Sequence, residues 1–220
     1  MFIGHFAVGF AAKRFAPRTS LALLLAAPLF ADVLWPWFVL LGWERVRIDP
    51  GNTSFTPLDL AYYPWSHSLL MSSVWATVFA LVYQRISHYW PGTLAIWVGV
   101  LSHWVLDWIT HRPDMPLYPG GPRFGLGLWN SIAGTMVVEI LMLAIGVWLY
   151  ARITHGVDRV GRYGFVAYVA CLLVLYVGDR FSAPPTSVAE IMWTGIIAEA
   201  FLIPWAWWFD DHRVFRSALQ

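Results

Sequence analysis

The chain has 220 residues, of which 59% are hydrophobic and 12% charged, with 15 tryptophans and a formal net charge of +1. Soluble domains carry about 25% charged residues, so this composition excludes an ordinary soluble globule and points to a membrane protein. The near-zero charge predicts no nucleic-acid partner, and a single cysteine, Cys171, excludes an internal disulfide.

The first stretch, MFIGHFAVGFAAKRF, is apolar but shorter than the ~20 residues needed to cross a bilayer. Lys13, Arg14 and Arg18 follow the apolar run instead of preceding it, the reverse of a cleavable secretory signal. A retained half-helix is predicted, dipping into the bilayer or lying along it. Apolar runs near spanning length follow at 20–42, 66–84, 93–109, 131–150, 163–179 and 189–209. The expected fold class is all-α, a polytopic membrane helix bundle of about six transmembrane helices plus the N-terminal half-helix. Neither repeats nor a separate soluble domain are visible, so 1–220 reads as one membrane domain.

With both termini in the cytoplasm, Lys13, Arg14, Arg18, Arg85, Arg152, Arg159, Arg162, Arg213 and Arg216 fall inside, against Arg45, Arg47, Arg112, Arg123 and Arg180 outside. That bias is the one expected for cytoplasmic loops. Trp35, Trp37, Trp65, Trp90, Trp129, Trp207 and Trp208 lie toward span ends, where tryptophans anchor helices at the interface.

Against this background LSHWVLDWITH stands out, because His103, Asp107 and His111 recur every four residues and share one helical stripe. A rise of 1.5 Å per residue turns position into depth: His5 and Asp32 come out roughly 16–18 Å above the basic turn at 16–20, and His103, Asp107, His67 and His111 at about 15, 21, 25 and 27 Å. Glu139 and Glu199 fall near ~15 Å on the fourth and sixth spans. An uncompensated Asp in mid-membrane costs about 2.5–3.5 kcal/mol, and the arginines all lie near span ends. A bound cation is the simplest compensator. Imidazole with carboxylate and no thiolate suits Zn, with Mn or Fe as alternatives. HxxxD alone fits many sequences by chance; its weight here comes from His5, Asp32, His67 and His111 at compatible depths.

Each of these residues also has a plainer reading. His67 can start a helix capped by Ser66, His111 can be a loop residue beside Pro113, Asp32 can bond a neighbouring helix, and His5 can sit at an interface. His88, His155 and His212 fall in loops or the tail.

The ordered set GHFAVG (His5), FADVLWP (Asp32), WSHSLL (His67) and LSHWVLD (His103, Asp107) resembles the membrane-bound metal-dependent hydrolases of the bacterial inner membrane. The likeness covers residues 1–111. That family is thought to be distantly similar to zinc-dependent phospholipase C. The resemblance implies His5, Asp32, His67, His103 and Asp107 as metal ligands, with His111 a further ligand or acid/base group. Two departures stand against it. The family's PDxD is reduced here to ADVL, and the second HxxxE of the phospholipase is missing, with Thr135 four before Glu139.

The expected activity is hydrolysis of an ester or phosphoester, lipid substrates included, near the outer leaflet. Asp107, Asp114 or Glu139 would take the water proton, and HRPDMPLYPGGPRFGLGLWNS would form an irregular lid in which Arg112 and Arg123 can meet a lipid phosphate. Two rival readings remain open. One is a divalent-metal transporter of the cation-diffusion type, which HxxxD within six spans resembles; the other is a non-catalytic membrane scaffold. Substrate and oligomeric state are not legible in the sequence.

Overall fold

The computed structural model describes residues 1–216; residues 217–220, the end of the tail, lie outside the described residues. In chain order the elements are α1 (Ile3–Ala12), α2 (Leu21–Ala26), α3 (Phe30–Leu40), β1 (Arg45–Ile48), β2 (Leu58–Tyr62), α4 (Pro64–His67), α5 (Leu69–Ser87) and α6 (Trp90–Thr110). They continue with β3 (Met115–Pro116), β4 (Arg123–Phe124), α7 (Ile132–Ile153), β5 (Thr154–Gly156), α8 (Phe165–Asp179), α9 (Val188–Asp211) and β6 (Arg213–Phe215). A π-helical stretch, Val160–Gly164, leads into α8.

Among the described residues α5, α6, α7, α8 with its π-helical lead-in, and α9 are long and apolar enough to cross a membrane. The protein is an integral membrane protein, and the all-α bundle read from the sequence holds. Among the described residues the strands are minor, three two-stranded antiparallel ribbons joining β1 to β2, β3 to β4 and β5 to β6.

Two elements differ from expectation. The run 20–42 is not one helix but α2 and α3, separated at Ala27–Leu29. Pro28 explains the break, since it has no N–H to close a bond onto the carbonyl of Leu24. The N-terminal half-helix is enclosed by the rest of the bundle instead of lying along its surface. Ile3, Gly4, His5, Phe6, Ala7, Gly9 and Phe10 of α1 are all buried, as befits a helix that is apolar on every side.

Around α1 the largest apolar cluster forms, with Phe6 and Phe10 against Leu21, Leu25, Tyr150, Phe165, Tyr168 and Phe209. Two glycines set its position. A Cβ on Gly146 would lie 2.4 Å from the carbonyl oxygen of Ala7, so α7 meets the α1 backbone directly. A Cβ on Gly99 would lie 2.9 Å from Ala27, so α6 closes onto the break between α2 and α3. Both contacts hold histidine-bearing helices in register. A separate apolar cluster of Val46, Leu60, Tyr63, Trp104, Met115 and Met192, with Trp35 and Trp129 against it, covers the α6 C-terminal end of the bundle.

Candidate metal centre

Four imidazoles and two carboxylates from α1, α3, α4 and α6 meet below that cover. Asp107 is central. Its Oδ2 lies 3.0 Å from His103 Nε2, 3.6 Å from His111 Nε2 and 3.9 Å from His67 Nε2, and its Oδ1 lies 3.1 Å from His5 Nε2. Asp32 Oδ1 is 3.5 Å from His67 Nε2 and 3.9 Å from His103 Nε2. Two sets of potential ligands result, His5–His103–Asp107 and Asp32–His67–His103, each with its donor atoms within 4.8 Å of one another and with His103 in common. The amino nitrogen of Met1 also lies 2.6 Å from Asp107 Oδ1, one positive charge against two carboxylates.

The far edge of three rings decides which nitrogen faces inward. His103 Nδ1 lies 2.7 Å from the carbonyl oxygen of Pro28, which can only accept, so Nδ1 carries the hydrogen. His111 Nδ1 donates to Asp114 Oδ1 at 3.0 Å, and the Tyr63 hydroxyl donates to the same carboxylate at 2.8 Å. Ser66 Oγ donates to Glu44 Oε2 at 2.6 Å, which leaves its lone pair to accept from His67 Nδ1, also at 2.6 Å. In each neutral ring Nε2 therefore presents a lone pair to a carboxylate oxygen. Two acceptors face each other, and His103 Nε2, although buried, has no hydrogen-bond partner among the described residues.

Metal-ligating histidines characteristically have their other nitrogen held by a carboxylate or a backbone carbonyl. The spacing fits as well. Tetrahedral ligands about 2.0–2.2 Å from zinc lie about 3.3–3.6 Å apart, inside the 3.0–3.9 Å spread of the centre. The donor set suits Zn, Mn or Fe and not the all-oxygen shells of Ca or Mg.

Local sequence builds each position. The stripe on α6 delivers His103 and Asp107, and His111 caps the same helix, its N–H bonded to the carbonyl of Asp107 at 2.8 Å. His67 ends the single turn α4, and the break after it is closed by Ser68, whose hydroxyl accepts from Met71 N at 3.2 Å. Ser66 is therefore not the helix cap that the sequence suggested; it lies within α4 and joins His67 to Glu44. His111 is likewise no free loop residue, because it is buried with the Trp129 ring 4.1 Å away.

The six ligand candidates, His5, Asp32, His67, His103, Asp107 and His111, are all brought together, His111 at the edge and outside both three-residue sets. Glu139 stands apart. Its Oε2 accepts from the backbone N–H groups of Phe2 and Gly4, at 2.8 and 3.2 Å, and Oε1 has no partner among the described residues. It ties down the first turn of α1, which carries His5. Glu199 does not join the ligand atoms and is half-buried on α9, within electrostatic reach of Asp32.

Sequence reasoning passed over Glu44, which accepts from the N–H groups of Trp65 and Ser66 at 2.7 and 2.8 Å as well as from the Ser66 hydroxyl. Its only sequence signal is a lone acid before Arg45 and Arg47, which reads as a surface charge. Burial pushes the Glu44 carboxyl above its ordinary value, against the pull of His67 and of these hydrogen bonds. Burial acts in the same sense on Asp114, but the bond from His111, its charge, Tyr63 and Arg112 together hold Asp114 below the usual range.

The expected lid packs tightly over the centre. The 111–131 segment is fastened by Leu126 N to Trp108 O at 2.8 Å, Gly127 N to His111 O at 2.7 Å and Trp104 Nε1 to Pro116 O at 3.0 Å. Arg112 turns to Asp59 and Asp114. No family model, curated protein or solved structure matches the chain.

Proposed function

We propose that the protein is a membrane-embedded metal-dependent hydrolase of an ester or phosphoester, resident in the bacterial cytoplasmic membrane with both termini inside. The observation that carries this reading is the set of inward-facing Nε2 lone pairs of His67, His103 and His111 opposite Asp32 and Asp107, each imposed by a bond on the outer Nδ1. Something positive belongs between them. Protonating all the rings would set imidazolium beside imidazolium, with His5 and His103 stacked at 4.1 Å and His67 and His103 at 4.9 Å, a like-charge arrangement that disfavours ionisation. A divalent cation would answer the lone pairs and the carboxylate of a three-residue set at once. Zinc is the metal we favour, with Mn or Fe as alternatives.

When bound, such a metal lowers the pKa of a coordinated water toward ~7 and polarises a carbonyl or phosphoryl oxygen. The protein's own groups supply the rest. Asp107 bridges the histidines through both oxygens, and His103 belongs to both ligand sets. His111, outside those sets, is the best placed group to hold and return a proton: Asp114 fixes its Nδ1–H and so directs the Nε2 lone pair toward the centre. Glu139 secures α1 and thereby His5.

Metal content and cleavage of a chromogenic phosphodiester, followed together on purified protein, test this. Zinc-loaded protein should cleave the ester. His103→Ala should lose the metal, whereas His111→Ala should keep it and lose about 10²–10⁴ in rate, the usual share of a general acid or base. Substoichiometric metal with none taken up on reconstitution would leave a scaffold. Vesicle zinc flux abolished by His103→Ala, without ester cleavage, would make the protein a transporter.

A further inference from the structure

The ligands are closed off unequally. Side-chain exposure is 0% for His5, 1% for His103, 2% for His111, 3% for Asp107 and 5% for His67, but 35% for Asp32. The way to the centre therefore passes Asp32. It does not come from the α6 C-terminal end, where Met115 and Tyr63 are fully buried over His111 and where the 111–131 segment is bonded down.

Asp32 stands on the seam between α3 and α9, and the two helices run antiparallel along it. Trp37 meets Trp193 with ring centroids 6.4 Å apart. One residue along α3 and two along α9, a Cβ on Gly195 would lie 3.6 Å from Pro36 Cγ. A turn deeper on each helix, along the same α3–α9 packing, come Asp32 and Glu199. Beyond them the seam is shut, because Leu25 of α2 and Leu202 of α9 are buried in the main apolar cluster. Glu199 is the twelfth residue of the 24-residue α9, roughly 17 Å from its start at 1.5 Å per residue. That is mid-bilayer. Ile197 and Phe201 on either side of Glu199 are exposed, as lipid-facing residues are.

Resting on the hydrolase reading, we infer that the centre is loaded sideways from the bilayer through a gap between α3 and α9 lined by Asp32 and Glu199, and that its substrate is a lipid ester or phosphoester rather than a water-soluble one. A solute would have to arrive through the hydrocarbon layer or through the closed cap. An amphiphile already has its tails beside Ile197 and Phe201 and needs only to bring its ester linkage past Asp32. Nothing larger than a hydrogen occupies position 195 at the upper edge of this gap, so side chains added there narrow it without touching a ligand.

The test uses the full chain loaded with cobalt and placed in lipid nanodiscs, with the visible cobalt spectrum reporting arrival of a ligand. The probes are a long-chain alkylphosphonate dissolved in the bilayer and methylphosphonate in the buffer. The variants are Gly195→Ala, Gly195→Val and Gly195→Leu, and the bulkiest one that still takes up cobalt stoichiometrically is compared with the parent. The long-chain phosphonate should change the parent spectrum at low occupancy of the bilayer and should bind about tenfold or more weakly once the gap is filled. Gly195→Ala, whose methyl makes only ordinary contact with Pro36, should match the parent. Methylphosphonate should be far weaker and indifferent to residue 195. The inference is overturned if methylphosphonate acts as readily as its long-chain partner, if the bulky variant binds the long-chain probe unchanged, or if neither probe reaches the metal. Because the spectrum follows binding and not turnover, failure of ester cleavage would refute the hydrolase reading while leaving this result to decide the route.

Discussion

Ser66→Ala is the most discriminating substitution outside the ligands. The Ser66 hydroxyl joins Glu44 to His67 Nδ1 with two bonds of 2.6 Å, and all three residues are buried. Alanine leaves the backbone N–H bonds from residues 65 and 66 to Glu44 Oε1 in place, so α4 should keep its start. What is lost is the acceptor for His67 Nδ1–H and one donor to Glu44. A buried group stripped of its partner costs about 1–3 kcal/mol in stability. If His67 binds metal through Nε2, loss of the group that orients its ring should also lower metal affinity about 10–100-fold, or about 1.4–2.7 kcal/mol. Chelator competition on the purified protein measures the second effect and denaturant unfolding of the metal-free form measures the first. A variant that is less stable when metal-free but binds zinc as tightly as the parent would mean that Ser66 only packs α4 and that a held Nδ1 does not aim His67 Nε2 at a metal.

Three further outcomes follow from the same geometry. Gly146→Leu must push α1 off α7, since even a Cβ would stand 2.4 Å from the carbonyl oxygen of Ala7; a loss of about 1–3 kcal/mol is expected on thermal unfolding, with weaker metal retention because α1 carries His5. Lys13→Met removes the charge paired with buried Asp210, which lies 2.6 Å from Lys13 Nζ at the opposite end of the bundle and keeps only the bonds from Leu21 N and the Tyr150 hydroxyl; it should cost about 3–5 kcal/mol while the protein that does fold keeps its full metal content. Asp114 has its folded value held below the usual range, so its contribution is complete above the unfolded value near ~3.9 and disappears as pH falls through the lower folded value; Asp114→Asn should flatten that acid limb in unfolding measured against pH.

Much of the centre was legible because helical periodicity and depth are both linear in residue number. The spacing of His103, Asp107 and His111 placed them on one stripe, and counting rise from the basic turn put His5 and Asp32 level with it. Neither inference needs tertiary contacts. Burial of α1 was missed because a short apolar helix at a chain end looks the same whether lipid or protein surrounds it. The clue lay in Gly146, whose missing side chain makes room for α1 but which by itself reads as an ordinary membrane-helix glycine. The break at Pro28 was passed over since proline is tolerated in membrane helices, yet its carbonyl is what orients His103. The serine–histidine pairs show the limit of motif reading. Ser66 orients His67, whereas Ser102, equally adjacent to His103, turns back to the carbonyl of Gly99 at 2.6 Å. Glu139 was given a chemical role from its depth and from the HxxxE position, and one of its oxygens, Oε2, proves to be held by the backbone of α1.

The most direct measurement is anomalous diffraction from crystals of the zinc-loaded protein, collected at the zinc absorption edge. A peak about 2.0–2.2 Å from His103 Nε2 and from a carboxylate oxygen of Asp107 or Asp32 is the expected result. A protein that takes up no zinc, or a peak bound elsewhere while His103 and Asp107 contact only each other, would contradict the metal centre.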